Sequence, residues 1–227
     1  MLMLLPFQAA ADAITVASAS SLRPVLEQVI LVFKHEHAVR TVYAASGTLV
    51  QQILHGAPYE VFLSASPDDL KPLQQAARIC EGPAVIGHGR LVLYVPQRSQ
   101  VPLDATLKAL GESDLQHLAI ADPAIAPFGR LAKQALENAR LWQSLQDRLV
   151  FGDSAARTAQ LVLAGAVDAA LLPKRLMQPR IFAQRGRWVG VDESLYRPMP
   201  MMAVWLCGSS HASRALYFFL RDHFDDQ

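Results

Sequence analysis

The chain lacks most of what would mark an enzyme, a nucleic-acid binder or a membrane span. Its 227 residues hold two cysteines, Cys80 and Cys207, and a net charge of only +1. So even a balance leaves no basic footprint for nucleic acid or an anionic membrane surface. Charged residues make up 18% and aromatic ones 7%, against 52% hydrophobic, which excludes a disordered chain and describes a packed globular one. Neither serine-centred G-x-S-x-G elbows nor a G-x-x-x-x-G-K-[ST] phosphate loop occur, and Gly87-His88-Gly89 lacks the third glycine of a dinucleotide fingerprint. No His, Cys and carboxylate set has metal-ligand spacing. His35-Glu36-His37 has no third ligand at useful distance and reads as a solvated helix end. These absences predict a protein that is not an enzyme, has no cofactor and no direct metal-cation ligands, and has no nucleic-acid partner.

Two cysteines at unknown separation do not establish a disulfide, and the reading here is two unpaired, mostly buried thiols. Beyond the N-terminus no stretch approaches the ~20 apolar residues of a bilayer span, so a soluble mature chain is expected. Residues 1–13 are apolar and then small, ending Ala11-Asp12-Ala13. They look like the h-region and cleavage site of a secretory signal without its basic n-region, which predicts export.

What is present is an alternation of strand and helix, the pattern of an α/β protein with mostly parallel strands. Two segments stand out: Ile14-Thr-Val-Ala-Ser-Ala-Ser20-Ser21-Leu22 and Thr41-Val-Tyr-Ala-Ala-Ser46-Gly47-Thr48-Leu49. Each reads as a strand, a turn of small hydroxyl residues, then a helix. The helices carry apolar stripes, Leu22, Val25, Leu26, Val29, Ile30 and Phe33 in the first and Leu49, Val50, Ile53, Leu54 and Ala57 in the second. A helix starting directly after a strand presents unpaired N–H groups where the helix dipole is positive, which is a seat for an anion. Further on, Glu60–Ala65 reads as a doubly covered strand and Ser66-Pro67-Asp68-Asp69 as a helix opening.

The strand Arg90–Pro96 predicts a crossing into a second lobe that repeats the theme. There, His117–Ala121 leads into Asp122-Pro-Ala-Ile-Ala-Pro127-Phe128-Gly129 and a helix, and Arg148–Phe151 leads into Gly152-Asp153-Ser154-Ala155 and a helix stopped at Gly165. Val167–Leu172 is a further strand. Met201–Leu206 reads as a strand returning to the first lobe, followed by a helix over about Ser210–His223. The expected organisation is a first lobe of residues 14–89 plus 201–227, a second of 90–200, and a ligand cleft between them. Four turns, around Ser21, Ser46, Phe128-Gly129 and Ser154-Ala155, then face one cleft. Arg23 and Arg130 lie just inside their helices and are read as solvent-facing or rim residues rather than ligands.

Four stretches in order, Val-Ala-Ser-Ala-Ser-Ser-Leu, Ala-Ser-Gly-Thr-Leu-Val-Gln-Gln-Ile, Gly-Ala-Pro-Tyr-Glu-Val-Phe-Leu-Ser-Ala and Ala-Asp-Pro-Ala-Ile-Ala-Pro-Phe-Gly-Arg, resemble the periplasmic molybdate-binding proteins of ABC importers from about Ile14 to Val204. The resemblance implies a type II periplasmic binding fold closing over a tetrahedral oxyanion, molybdate first, with tungstate bound comparably and sulfate more weakly. It implies ligand contacts at Ser21, Ser46, Phe128 and Ala155, with Ser20, Gly129 and position 173 as secondary candidates. It also implies a monomer in the periplasm that serves a membrane permease and its ATPase. The tyrosine some members place after the later strand is replaced by Leu172-Pro173-Lys174, and proline offers no N–H. Glu60 and Ser66 stand where the family usually has aspartates, and Glu60 is read as fixing its loop rather than touching an anion. Two alternatives stay open. One is a site for another tetrahedral oxyanion. The other is a ligand-sensing domain of a regulator, for which the dozen residues before the first strand leave no room for a helix-turn-helix.

Overall fold

The computed structural model describes residues 13–33 and 38–224. The signal-like segment up to Asp12 and the His35-Glu36-His37 run lie outside these residues.

The first sheet opens with β1 (Ile14–Ala19), a short 3-10 turn Ser20–Leu22 and α1 (Arg23–Val32), then β2 (Val39–Ala44), α2 (Ser46–Leu54) and β3 (Val61–Ser64). A 3-10 turn Pro67–Leu70 runs into α3 (Lys71–Gln75), with the Ser66 hydroxyl capping it from Asp68 N–H. The chain then runs along β4 (Ile79–Gly89) and crosses at Arg90 into β5 (Leu91–Pro96) of a second sheet. That sheet is completed through α4 (Ala109–Glu112), β6 (Leu118–Ala121), α5 (Pro127–Asn138), α6 (Trp142–Leu145), β7 (Leu149–Gly152), α7 (Ala155–Leu163), β8 (Ala169–Pro173), α8 (Arg180–Arg185) and β9 (Gly186–Gly190). The return strand β10 (Met199–Leu206) rejoins the first sheet, two residues earlier than the apolar run suggested, and α9 (His211–His223) follows.

The strand orders are β2-β1-β3-β10-β4 and β7-β6-β8-β5-β9. Both sheets are mixed rather than mostly parallel as the strand–helix alternation suggested, because β5 and β10, the strands that follow the crossings between lobes, enter their sheets antiparallel. β1 runs parallel to β2 and β3, whereas β10 is antiparallel to β3 and β4. Likewise β6 is parallel to β7 and β8, and β5 is antiparallel to β8 and β9. β3, β5, β6 and β8 are buried along their full lengths, as apolar runs covered on both faces must be. In the first sheet, Leu22, Leu26 and Leu216 pack on one face and Leu49, Ile53 and Phe62 on the other. The expected stripe holds: Leu22, Val25, Leu26 and Val29 are buried, and Ile30 and Phe33 are partly buried against the same core.

The cysteines correct the sequence reading. Cys80 and Cys207 are bonded to one another, with Cα atoms 4.9 Å apart, and both are exposed rather than buried. The cause is β4, a strand with polar and glycine positions that no hydrophobic period announces. Its antiparallel pairing with β10 sets Glu81 beside Trp205 and Ile79 beside Leu206, which brings the two cysteines together. Glu60 behaves as its position implied. Its carboxylate accepts from Thr15 N–H at 3.0 Å, and from Ser210 N–H and Oγ at 3.1 and 2.6 Å, tying β1 to the start of α9. Burial alone would raise its pKa, but these donors outweigh it and hold the carboxyl below its ordinary value.

Candidate functional site

Each strand-to-helix turn ends at the same place. β1 and β2 lead straight into the Ser20 and Ser46 turns of one lobe, and the Pro127 and Ala155 starts of α5 and α7 come from the other. Ser20, Ser21, Ser46, Phe128 and Ala155 share one small interlobe pocket, walled otherwise by alanines such as Ala45, Ala65 and Ala126 and by Pro127. Two secondary candidates lie elsewhere. Gly129 does not line the pocket, and its N–H donates to Ala126 O at 3.0 Å. Pro173 also stays outside it, closing β8 opposite Leu91.

The donors follow from helix geometry, because first-turn N–H groups have no acceptor within their own helix. That applies to Ser21, Ser46, Phe128 and Ala155, while Pro127 at the first position of α5 removes one competing donor. Neighbouring N–H groups are already committed, Gly47 to Ile125 O at 3.1 Å, Ala156 to Ser20 Oγ at 3.3 Å, and Arg157 to Ser154 Oγ at 3.2 Å. Ser46 Oγ accepts from Ala65 N–H at 3.1 Å. Ser21 Oγ is buried and has no hydrogen-bond partner among the described residues.

None of the pocket-lining residues is ionisable. Within the lining itself, positive potential comes from the helix N-termini, each contributing ~0.3–1 kcal/mol toward an anion. Such a lining has no general base or activated nucleophile to offer, and among the described residues no cluster of three or more His, Cys, Asp or Glu could hold a metal ion.

The arginines keep to the rim. Arg23 pairs with Glu27 at 3.3 Å and lies over the Tyr43 ring, 4.3 Å from its centroid. Arg130 reaches across the cleft to Asp69, Nη2 to Oδ1 2.6 Å. Among the described residues, direct links between the lobes include Ser20 to Ala156, Gly47 to Ile125, and Asp69 to Arg130. The glycine is needed for the second, since a Cβ at position 47 would lie 2.7 Å from Ile125 O. Gly47→Ala is expected to hold the lobes apart and weaken ligand binding by about 1–3 kcal/mol, the usual cost of overpacking. Titration alongside a melting curve checks this, since the unfolding midpoint of the ligand-free variant should stay close to the parent's.

Two α/β lobes, joined by crossings at Arg90 and ahead of Met199 and closing over unpaired helix N-termini, define the class of type II periplasmic binding proteins. Residues 14–223 match the model of the bacterial extracellular solute-binding protein family, and the chain belongs to it. It is 30% identical over 220 residues to the molybdate-binding protein ModA of Rhodobacter capsulatus, covering 92% of this chain and 82% of that protein. Against the Azotobacter vinelandii ModA it is 29% identical over 228 residues, covering 96% and 88%. The solved periplasmic molybdate-binding protein of Azotobacter vinelandii superposes with a TM-score of 0.82 at 25% identity, over 93% of this chain and 92% of that one. The sulfate-binding protein SubI of Mycobacterium tuberculosis shares the fold, with a TM-score of 0.75 at 14% identity over 93% and 82%.

Proposed function

We propose that this protein captures a tetrahedral oxyanion, molybdate in the first place and tungstate comparably, and hands it to the permease of an ABC importer outside the cytoplasm. The observation that carries the reading is the interlobe pocket with no ionisable lining residue, into which four helix starts bring unpaired N–H groups and in which Ser21 Oγ has no hydrogen-bond partner among the described residues. Hydrogen bonds to a charged acceptor contribute ~1.5–3 kcal/mol each, so Ser21, Ser46, Phe128 and Ala155 together can offset the desolvation of a dianion. Among its relatives, those named above from Rhodobacter and Azotobacter are molybdate-binding proteins. Pro173, buried and without an N–H, adds no donor to the site.

In this reading residues 14–89 with 201–227 move against 90–200, the chain acts as a monomer, and residues 1–13 direct export. Calorimetric titration with molybdate, tungstate and sulfate tests the assignment. Molybdate and tungstate should bind with similar affinity and sulfate far more weakly. Tight sulfate binding without molybdate heat would replace molybdate by sulfate as the cargo.

A further inference from the structure

Asp69 belongs to the Pro67–Leu70 turn of the first lobe, and Arg130 to the first turn and a half of α5 in the second. They meet at 2.6 Å, with the aspartate side chain only 10% exposed and the arginine 38%. The second carboxylate oxygen, Oδ2, is buried without a hydrogen-bond partner among the described residues. Burial pushes the Asp69 pKa up. Arg130 opposes that through its charge and hydrogen bond, and the Ser46 hydroxyl adds a weaker pull in the same direction. Ser46 itself lines the anion pocket. The chain thus carries a poorly solvated carboxylate directly behind one of its anion seats, where a negative charge repels a dianion. Its compensating charge sits on the opposite lobe.

We infer that Asp69 and Arg130 form a charge-cancelling latch, in which Arg130 is the positioning residue that makes the Ser46 side of the pocket acceptable to an anion as the lobes close. This rests on the oxyanion reading above and adds its closure control. An ordinary latch would lose the same affinity whichever partner is removed. Charge cancellation makes the two losses unequal. Without Arg130 the bare Asp69 carboxylate faces the anion. Without the carboxylate, Arg130 remains as a free positive charge beside the pocket.

The test is calorimetric titration of molybdate into the full chain and into Arg130→Gln, Arg130→Lys, Asp69→Asn and the double variant Asp69→Asn/Arg130→Gln, each checked by melting. Arg130→Gln should weaken binding about 10- to 100-fold, and Arg130→Lys should retain most of the affinity, as charge rather than shape is at work. Asp69→Asn should change affinity by less than about threefold or strengthen it, and adding it to Arg130→Gln should recover most of the loss. Equal losses in the two single variants, or no recovery in the double, would overturn the inference while leaving the oxyanion reading intact. Absence of heat from the unaltered chain with molybdate, tungstate or sulfate would overturn that reading and the latch with it.

Discussion

Replacing Cys80 and Cys207 together by serine should lower the unfolding free energy by about 4–5 kcal/mol, the largest change expected from any alteration discussed here. The bridge spans 127 residues of sequence, and that span contains the entire second sheet. In the unfolded chain the crosslink confines a loop holding a whole lobe, and its removal releases that loop's entropy. In the folded chain the bridge only ties β4 to the end of β10, where strand pairing already sets the register. Chemical denaturation should show a lower midpoint in the double serine variant and in the reduced parent alike. Oxyanion affinity should stay within about twofold, because the bridge and the pocket share no residue. An unchanged midpoint would mean that the unfolded chain is already confined by other means.

Ser21→Ala and Ser46→Ala should each weaken oxyanion binding by ~1.5–3 kcal/mol, the worth of a hydrogen bond to a charged acceptor. Their effects on stability should differ. Ser21 Oγ has no hydrogen-bond partner among the described residues, so its removal takes away a buried unsatisfied hydroxyl and should leave the ligand-free melting point unchanged or slightly higher. Ser46 Oγ accepts the Ala65 N–H, and alanine there strands a buried donor at a cost of about 1–3 kcal/mol. Titration and melting of the two variants side by side separate these effects. If neither serine alters affinity, the anion does not sit between these helix starts.

The parts of this account legible in the sequence are those written locally. A strand, then serine, then an apolar helical stripe is a short-range pattern, and it located Ser21 and Ser46, which the structure sets in one pocket with Phe128 and Ala155. β4 escaped because its exposed, half-buried and buried positions follow no regular alternation and include Gly82-Pro83, so no period of two emerges. β9 escaped as well, being a five-residue edge strand with exposed Arg187 and Trp188. Missing β4 is also why the disulfide was misread, since the pairing that unites the cysteines runs through it. Asp69 and Arg130 lie 61 residues apart on opposite lobes, and no local pattern joins them. The alanine walls at Ala65 and Ala126 carry no functional group to notice, although their smallness lets the helix starts converge.

The central claim, that helix N-termini from two lobes hold a tetrahedral dianion without a charged side chain, is tested most directly by anomalous diffraction from crystals grown with tungstate. The account predicts one strong tungsten peak between the lobes, with its oxygens within about 2.7–3.2 Å of the N–H groups of Ser21, Ser46, Phe128 and Ala155 and of the two serine hydroxyls. A tungsten peak seated instead on arginine side chains, or bound outside the interlobe pocket, would contradict it.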